Sequence, residues 1–307
     1  MFTTLKFAAI DIGSNAVRLL LANVFEIARK PTFKKMSLTR MPIRLGSDAF
    51  SLQRISDEKA RELVQTMVGF KHLIDAYQPI AYQAYATSAM RGARNGPQIC
   101  DRIEQASGIR VEIIEGPLEA QLIFENKSAE SFGGYKEYLY VDVGGGSTEI
   151  TLFADGRVAG SASFDIGTIR ILQNQVTADH WEQMHQWLKA RTAKHGTIAA
   201  IGSGGNINKI FRLANCKTGR PLSIDKLQEV RRELVLYSFE ERITILDLRP
   251  DRADVIVPAA DIYLNVLRWS GAQKIFVPQV GLADGAVRLL YQRYKSQNPG
   301  VRSQNPE

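Results

Sequence analysis

Four turns rich in glycine and serine follow apolar runs in this chain: Gly13-Ser14-Asn15, Gly144-Gly145-Gly146-Ser147-Thr148, Gly202-Ser203-Gly204-Gly205-Asn206, and the Gly-Leu-Ala-Asp-Gly segment at 281–285. Such turns expose backbone N–H groups with no side chain in the way, and phosphate oxygens accept from them. One turn of this kind would be explained by hairpin geometry; four, all after apolar strands, point to phosphate. The first two begin at aspartates, Asp11 and Asp142. Facing each other across a cleft, these carboxylates would hold a hydrated Mg²⁺, which binds through one or two carboxylates plus substrate phosphates. The structural alternative is that each accepts N–H bonds of its own turn. No turn shows GxGxxG between a strand and a helix, because VRLLL and ITLFA after the first two read as strands, and no GxxxxGK[ST] loop occurs. Dinucleotide and P-loop readings are therefore poor.

The elements that must position these turns follow from the hydrophobic periods. TLKFAAIDI (4–12) and VRLLLANVF (17–25) read as strands, and MSLTRMPIR (36–44) as a third, with a basic hairpin region carrying Arg29, Lys30, Lys34 and Lys35 before it. From Ser56, an N-cap followed by Asp57 and Glu58, apolar residues recur at helical spacing to Tyr77. A strand at 80–89, a short helix capped by Ser88, a helix at 97–107, a strand at 110–116 and a helix with Pro117 and Glu119 in its first turn complete this half. The pattern then restarts at 138–167 with strand, glycine turn, strand, Asp-Gly hairpin and strand. Helices follow at 178–194, 223–238, 253–269 and 284–294, with strands at 196–206 and 274–279. Asp11 and Asp142 lie 131 residues apart, near the spacing of one α/β domain. The simplest architecture is thus two α/β domains related by a pseudo-twofold with a cleft between them. The polar NKSAESFGGYK at 126–136 marks the boundary, giving domains 1–128 and 129–295, and the polar tail 296–307 reads as disordered.

Composition excludes other classes. The 307 residues include 39 Lys plus Arg and 32 Asp plus Glu, a net charge of +7, and residues 1–50 hold eight bases and three acids. That local excess points to an anionic partner, with a solvated basic strand edge as the plain alternative. Cys100 and Cys216 are far apart and form no CxxC, and the four histidines form no HExxH, so neither a disulfide scaffold nor a zinc site is indicated. No apolar stretch is long enough to span a membrane, and the first apolar run stops at Asp11, so a cytoplasmic protein is expected. No interleaving of aromatic and basic residues indicates specific nucleic-acid binding.

AAIDIGSNAVRLL, ATSAMRGARN, EGPLEAQLIF, YVDVGGGSTEI, GSGGN and GLADGAV, in this order from residue 8 to about 290, together resemble the exopolyphosphatase/guanosine pentaphosphate phosphohydrolase (Ppx/GppA) family in its short two-domain form. The resemblance implies an α/β fold of duplicated actin-like ATPase (ribonuclease H-like) domains with an interdomain cleft. It implies Mg²⁺-dependent release of terminal phosphate from inorganic polyphosphate, with guanosine pentaphosphate as the alternative substrate. Glu119 then matches the glutamate that activates water, and Glu149 a second carboxylate near metal or water, beside Asp11 and Asp142. Phosphate would be held by Gly13, Ser14, Asn15, Arg18, Ser88, Arg91, Gly144, Gly145, Gly146, Ser147, Gly202, Ser203 and Gly204. Asn95 is a weaker candidate. Lys34, Lys35, Arg40, Arg44 and Arg94 are candidate contacts for the rest of a polyanion. FDIGTIR keeps the family's Gly-x-x-Arg as Gly167 and Arg170. Departures are Ala16, where a hydroxyl residue is usual, and Pro117 and Leu118, where further acids are common. These motivate a third reading, a weakly catalytic phosphate or nucleotide sensor. A sugar-kinase-like phosphotransferase lacks an assignable acceptor-activating aspartate. Many family members dimerise; no seam in this sequence argues for it.

Overall fold

The computed structural model describes residues 4–27, 30–124, 135–155, 157–193, 196–217, 219–278 and 281–298. Two compact units form: one runs to Glu115 and takes back the segment from Leu282, and the other is Gly116–Gly281.

The first unit contains β1 (Thr4–Ile12), β2 (Val17–Ile27), β3 (Lys30–Met41), α1 (Leu45–Leu52), α2 (Asp57–Tyr77), β4 (Ala81–Ala86), α3 (Ser88–Gly92), α4 (Gly96–Ser107) and β5 (Val111–Ile113). Its sheet has the order β3-β2-β1-β4-β5. The β1–β2–β3 meander is antiparallel, and β4 and β5 add in parallel. Alternation along β1 sends Ala8, Ile10 and Ile12 into a core with Leu63, Met67, Phe70 and Ile74 of α2 and Ile99 and Ile103 of α4. As expected, Ser56 caps α2, its hydroxyl accepting from Lys59 N.

The second unit contains α5 (Gly116–Phe124), β6 (Glu137–Val143), β7 (Thr148–Ala154), β8 (Arg157–Phe164), α6 (Thr168–Leu172), α7 (Ala178–Thr192), β9 (Ala199–Ser203), α8 (Gly205–Leu213), β10 (Leu222–Ser223), α9 (Ile224–Leu236), α10 (Phe239–Thr244), α11 (Pro250–Ala253), α12 (Ile256–Ser270) and β11 (Lys274–Phe276). Its sheet order is β10-β11-β9-β6-β7-β8. Apart from the added β10 edge, this repeats the first sheet strand for strand: β6–β7–β8 is the antiparallel meander, and β9 and β11 add in parallel. The duplication read from the two Asp-x-Gly turns is thus present as topology, and it is that of the expected duplicated actin-like fold.

Four expectations are corrected. The division falls between Glu115 and Gly116, not at 128/129; residues 125–134, which supplied the polar boundary signal, lie outside the described residues. β3 starts at Lys30, so the basic segment before residue 36 is strand rather than turn. As the edge of its sheet it can carry Lys34 and Lys35 into solvent, and such charges protect an edge from further pairing. The 281–285 segment is not a turn but the start of α13 (Leu282–Gln297), with Gly285 buried inside the helix. The proposed tail begins within α13, and residues 299–307 lie outside the described residues.

α13 packs on β1, β2 and β4, closing the face of the first sheet that α2 and α4 leave open. Phe7 meets the rings of Tyr291 and Tyr294 edge-on, and the Arg288 guanidinium lies 4.2 Å from the Phe33 ring centroid. The Tyr291 hydroxyl donates to Glu26 Oε1 (2.6 Å), and Lys295 Nζ lies 3.0 Å from the same oxygen. The Tyr291 bond, aided by Lys295 and opposed by burial, holds the Glu26 carboxyl below its ordinary range. A depressed folded pKa stabilises above the unfolded value and is lost as pH falls through the folded one. Tyr291→Phe is therefore expected to cost about 1 kcal/mol at pH 7. The gap to wild type should narrow towards pH 3, as read by urea unfolding at both values.

Candidate functional site

In the first unit the turn between β1 and β2 is closed by Gly13 N–H donating to Ala16 O (3.1 Å). The carbonyls of Ser14 and Asn15 are taken by the N–H groups of Gly46 (2.9 Å) and Arg44 (3.2 Å). No bond among the described residues occupies the N–H groups of Ser14 and Asn15. The Ser14 and Ser88 hydroxyls meet at 2.9 Å, so two expected phosphate ligands from distant sequence positions share one spot. Ser88 does so as the first residue of α3; the cap position belongs to Thr87, not to Ser88.

In the second unit the turn between β6 and β7 has the same design. Gly144 N–H donates to Ser147 O (2.9 Å), and Gly144 O and Gly145 O accept from the N–H groups of Thr168 (3.0 Å) and Ile169 (2.7 Å). Arg170 Nε donates to Gly146 O (2.8 Å). With the carbonyls engaged on one side, no bond among the described residues occupies the N–H groups of Gly145, Gly146 and Ser147. Backbone donors arranged this way form an anion-binding concavity. Gly167 makes it possible, because a Cβ there would lie 2.4 Å from Gly145 O and from Gly146 C and N.

The registers place one row of side chains across each sheet at the turn. In the first unit the row is Tyr85, Asp11, Arg18 and Arg40, from β4, β1, β2 and β3. In the second it is Ser203, Asp142, Glu149 and Ser163, from β9, β6, β7 and β8. Cross-strand partners lie on the same face, so Arg18 and Glu149 are equivalents of opposite charge. Arg18 Nη1 donates to Asp11 Oδ2 at 2.7 Å, and Asp11 is buried. Glu149 Oε1 accepts from Ser147 (2.6 Å) and Ser163 (3.2 Å) and stands beside Asp142. The Ser147 hydroxyl thus serves a carboxylate. Ala16, at the equivalent place in the first turn, has no hydroxyl, and the residue two further on is Arg18 rather than a glutamate.

Glu119 occupies the first turn of α5, and the helix starts at Gly116 against Glu149: a Cβ on Gly116 would lie 3.0 Å from Glu149 Cγ. Beneath, Tyr140 is fully buried, and its hydroxyl is pushed well above the ordinary tyrosine range by burial, then by the charges of Asp142 and Glu119. Tyr263 is raised likewise by burial and by Asp142. The charges of Glu119 and Asp142 thus both act on Tyr140, and Glu149 adjoins Asp142 in the sheet.

Several other expected ligands have structural partners. The Ser203 hydroxyl is buried and bonds Tyr140 OH (2.5 Å). Gly202 is where Ile275 packs, 2.7 Å from an added Cβ. Gly204 turns the chain at φ 100° into α8. Arg91 donates to Ile114 O (2.7 Å) and lies near Glu115. Asn95 donates to Ile55 O and accepts from Ile55 N, a bridge that fixes the start of α4. Arg94 bonds Gln53 (2.6 Å), and Lys35 pairs with Asp284 (2.8 Å). Arg44 is in the left-handed region and precedes α1, while Lys34 stays exposed.

Among the described residues no group of three or more His, Cys, Asp or Glu side chains is gathered as for a metal ion. The donor chemistry of the second row nevertheless fits Mg²⁺: two adjacent carboxylates flanked by serine hydroxyls, all hard oxygens, for an ion that takes few protein ligands. Asp11 is a different case, since one of its oxygens already carries a guanidinium. Sequence reasoning missed Tyr140, Ser163 and Tyr263. Period-two alternation in YLYVDV does put Tyr140 on the Asp142 face; nothing local announces the other two.

The strand orders and the two equivalent glycine turns define a duplicated actin-like fold. The profile of the Ppx/GppA phosphatase family matches residues 24–293. This chain belongs to that family. The exopolyphosphatase of Cytophaga hutchinsonii shares its fold at 24% identity and TM-score 0.78, over 95% of this chain and 98% of that one. The Aquifex aeolicus Ppx/GppA family member does so at 24% identity and TM-score 0.74, over 96% and 99%. The bifunctional 3-dehydroquinate synthase/phosphatase of Fusobacterium nucleatum is 25% identical over 303 residues and 91% of this chain. The chain spans 46% of the length of that curated relative. No helix among the described residues is long and apolar enough to cross a membrane.

Proposed function

We propose that the protein is a Mg²⁺-dependent phosphoanhydride hydrolase that releases terminal phosphate from inorganic polyphosphate. The observation that carries this reading is the opposite charge of two equivalent rows. Arg18 pairs with Asp11 and Arg40 with Arg18 in one, and Glu149 joins Asp142 in the other, each beside a turn with unengaged N–H groups. One row suits the polyanion and the other a cation and a water.

Glu119 takes the proton of the attacking water. The water oxygen bonds to the terminal phosphorus, the bridging P–O bond breaks, and the shortened polyphosphate leaves with the electron pair. Asp142 and Glu149 would hold Mg²⁺, which when bound neutralises charge developing on the phosphoryl oxygens. The N–H groups of 145–147 orient and stabilise those oxygens, and in the first unit Ser14, Asn15, Ser88 and Arg18 are the groups suited to phosphate.

The test is phosphate release from short polyphosphate, long polyphosphate and guanosine pentaphosphate, with and without Mg²⁺. Polyphosphate turnover that needs Mg²⁺ is expected, with short chains preferred. Turnover of guanosine pentaphosphate alone would shift the reading to a nucleotide phosphohydrolase. Tight anion binding without any turnover would make the protein a sensor.

A further inference from the structure

We infer that the buried hydroxyls of Tyr140 and Tyr263 are positioning groups for Asp142, acting through Ser203 and Gly204. The inference rests on the hydrolase reading above for its rate effect and on the sheet itself for its geometry. Tyr140 and Asp142 alternate along β6 and so share a face. Ser203 is the last residue of β9 and the register partner of Asp142. Its hydroxyl meets Tyr140 OH at 2.5 Å, and its carbonyl accepts from Tyr263 OH at 2.7 Å. Its hydroxyl and its carbonyl are thus held by phenols from β6 and α12. All three residues are sealed from solvent, with exposures of 1%, 3% and 1% for Tyr140, Ser203 and Tyr263.

The backbone just beyond Ser203 gives the network its purpose. At Gly204 the chain turns with φ 100°, and a Cβ there would sit 3.3 Å from Asp142 Oδ1 and 4.0 Å from Val143 O. This stretch of main chain is therefore a wall against the Asp142 carboxylate. A strand end released from its two hydroxyl partners would let that wall move. Phenylalanine would fill the same apolar space at either tyrosine, so packing alone does not call for two hydroxyls at one serine. Buried polar groups of this kind fix a single arrangement when fully paired. Groups that orient a ligating carboxylate typically matter 10–100-fold to metal affinity.

The experiment compares Tyr140→Phe and Tyr263→Phe with wild type in the full chain. Mg²⁺ binding is measured by calorimetry without substrate, and kcat and KM with polyphosphate. Each variant is expected to weaken Mg²⁺ binding about tenfold and to lower kcat about tenfold, with KM within about twofold of wild type. Mg²⁺ affinity and kcat both within about twofold of wild type in the two variants would overturn the inference while leaving the hydrolase reading intact. A wild-type protein that binds Mg²⁺ but releases no phosphate sinks the hydrolase reading alone, and the calorimetric comparison still decides the positioning role. Should Tyr140→Phe fail to fold, Ser203→Ala removes the shared hydroxyl with little change in volume and carries the same expectation.

Discussion

Glu119→Gln is expected to lower phosphate release from polyphosphate by about 10³-fold, the usual contribution of a positioned general base. The amide keeps the shape and the hydrogen-bonding reach of the carboxylate but cannot take a proton from water. Its place in the first turn of α5 leaves the helix start against Glu149 untouched, so stability and Mg²⁺ binding should change little. Pro117 and Leu118 sharpen the test. Where relatives are expected to carry further acids before this glutamate, this chain offers no neighbouring carboxylate within the turn to substitute for it. Initial-rate phosphate release at saturating Mg²⁺ measures the effect. Retention of more than about a tenth of the rate, far above what loss of a general base leaves, would remove Glu119 from this role.

The second large effect falls on a residue with no side chain. Gly167→Ala would place a methyl group 2.4 Å from Gly145 O and from Gly146 C and N, all backbone atoms that cannot swing aside. Either the 144–147 turn or the start of α6 must move, and both are tied together by Thr168 N–H to Gly144 O and Ile169 N–H to Gly145 O. The expected cost is about 3 kcal/mol, at the upper end of overpacking, or roughly 6–12 °C in the melting temperature of a unit this size. The displaced turn should also lose most of its affinity for phosphate. Gly69→Ala is the control: it lies within α2, an added Cβ meets nothing within 4 Å, and alanine is the better helix former. Thermal melts and phosphate titration of the two variants separate a specific contact from a general intolerance of alanine.

The sequence made legible what repeats and what alternates. The two Asp-x-Gly turns disclosed the duplication because each must close an antiparallel strand pair, a local event with local chemistry. The pairing of Ser14 with Ser88 was half legible: both were expected to bind phosphate, but only the parallel addition of β4 to β1 brings them within 2.9 Å. The fate of α13 was not legible, since helical periodicity records that one face is buried and not which sheet buries it. The same holds for Lys35, whose charge suggested a polyanion while its partner Asp284 lies 249 residues away. Arg18 and Glu149 each carry a ligand's chemistry in the sequence; only the two registers show that they are counterparts.

The return of α13 to the first unit also has a consequence for synthesis. The first sheet is complete in sequence once residue 113 has been made, yet the helix that covers Phe7 and donates the Tyr291 bond to Glu26 is drawn from Leu282–Gln297. On the ribosome, all of Gly116–Gly281 must emerge before that helix exists. The nascent first unit therefore waits with one apolar sheet face uncovered, while the second unit, continuous in sequence, can close on itself. A helix made after the second unit completes a sheet made before it.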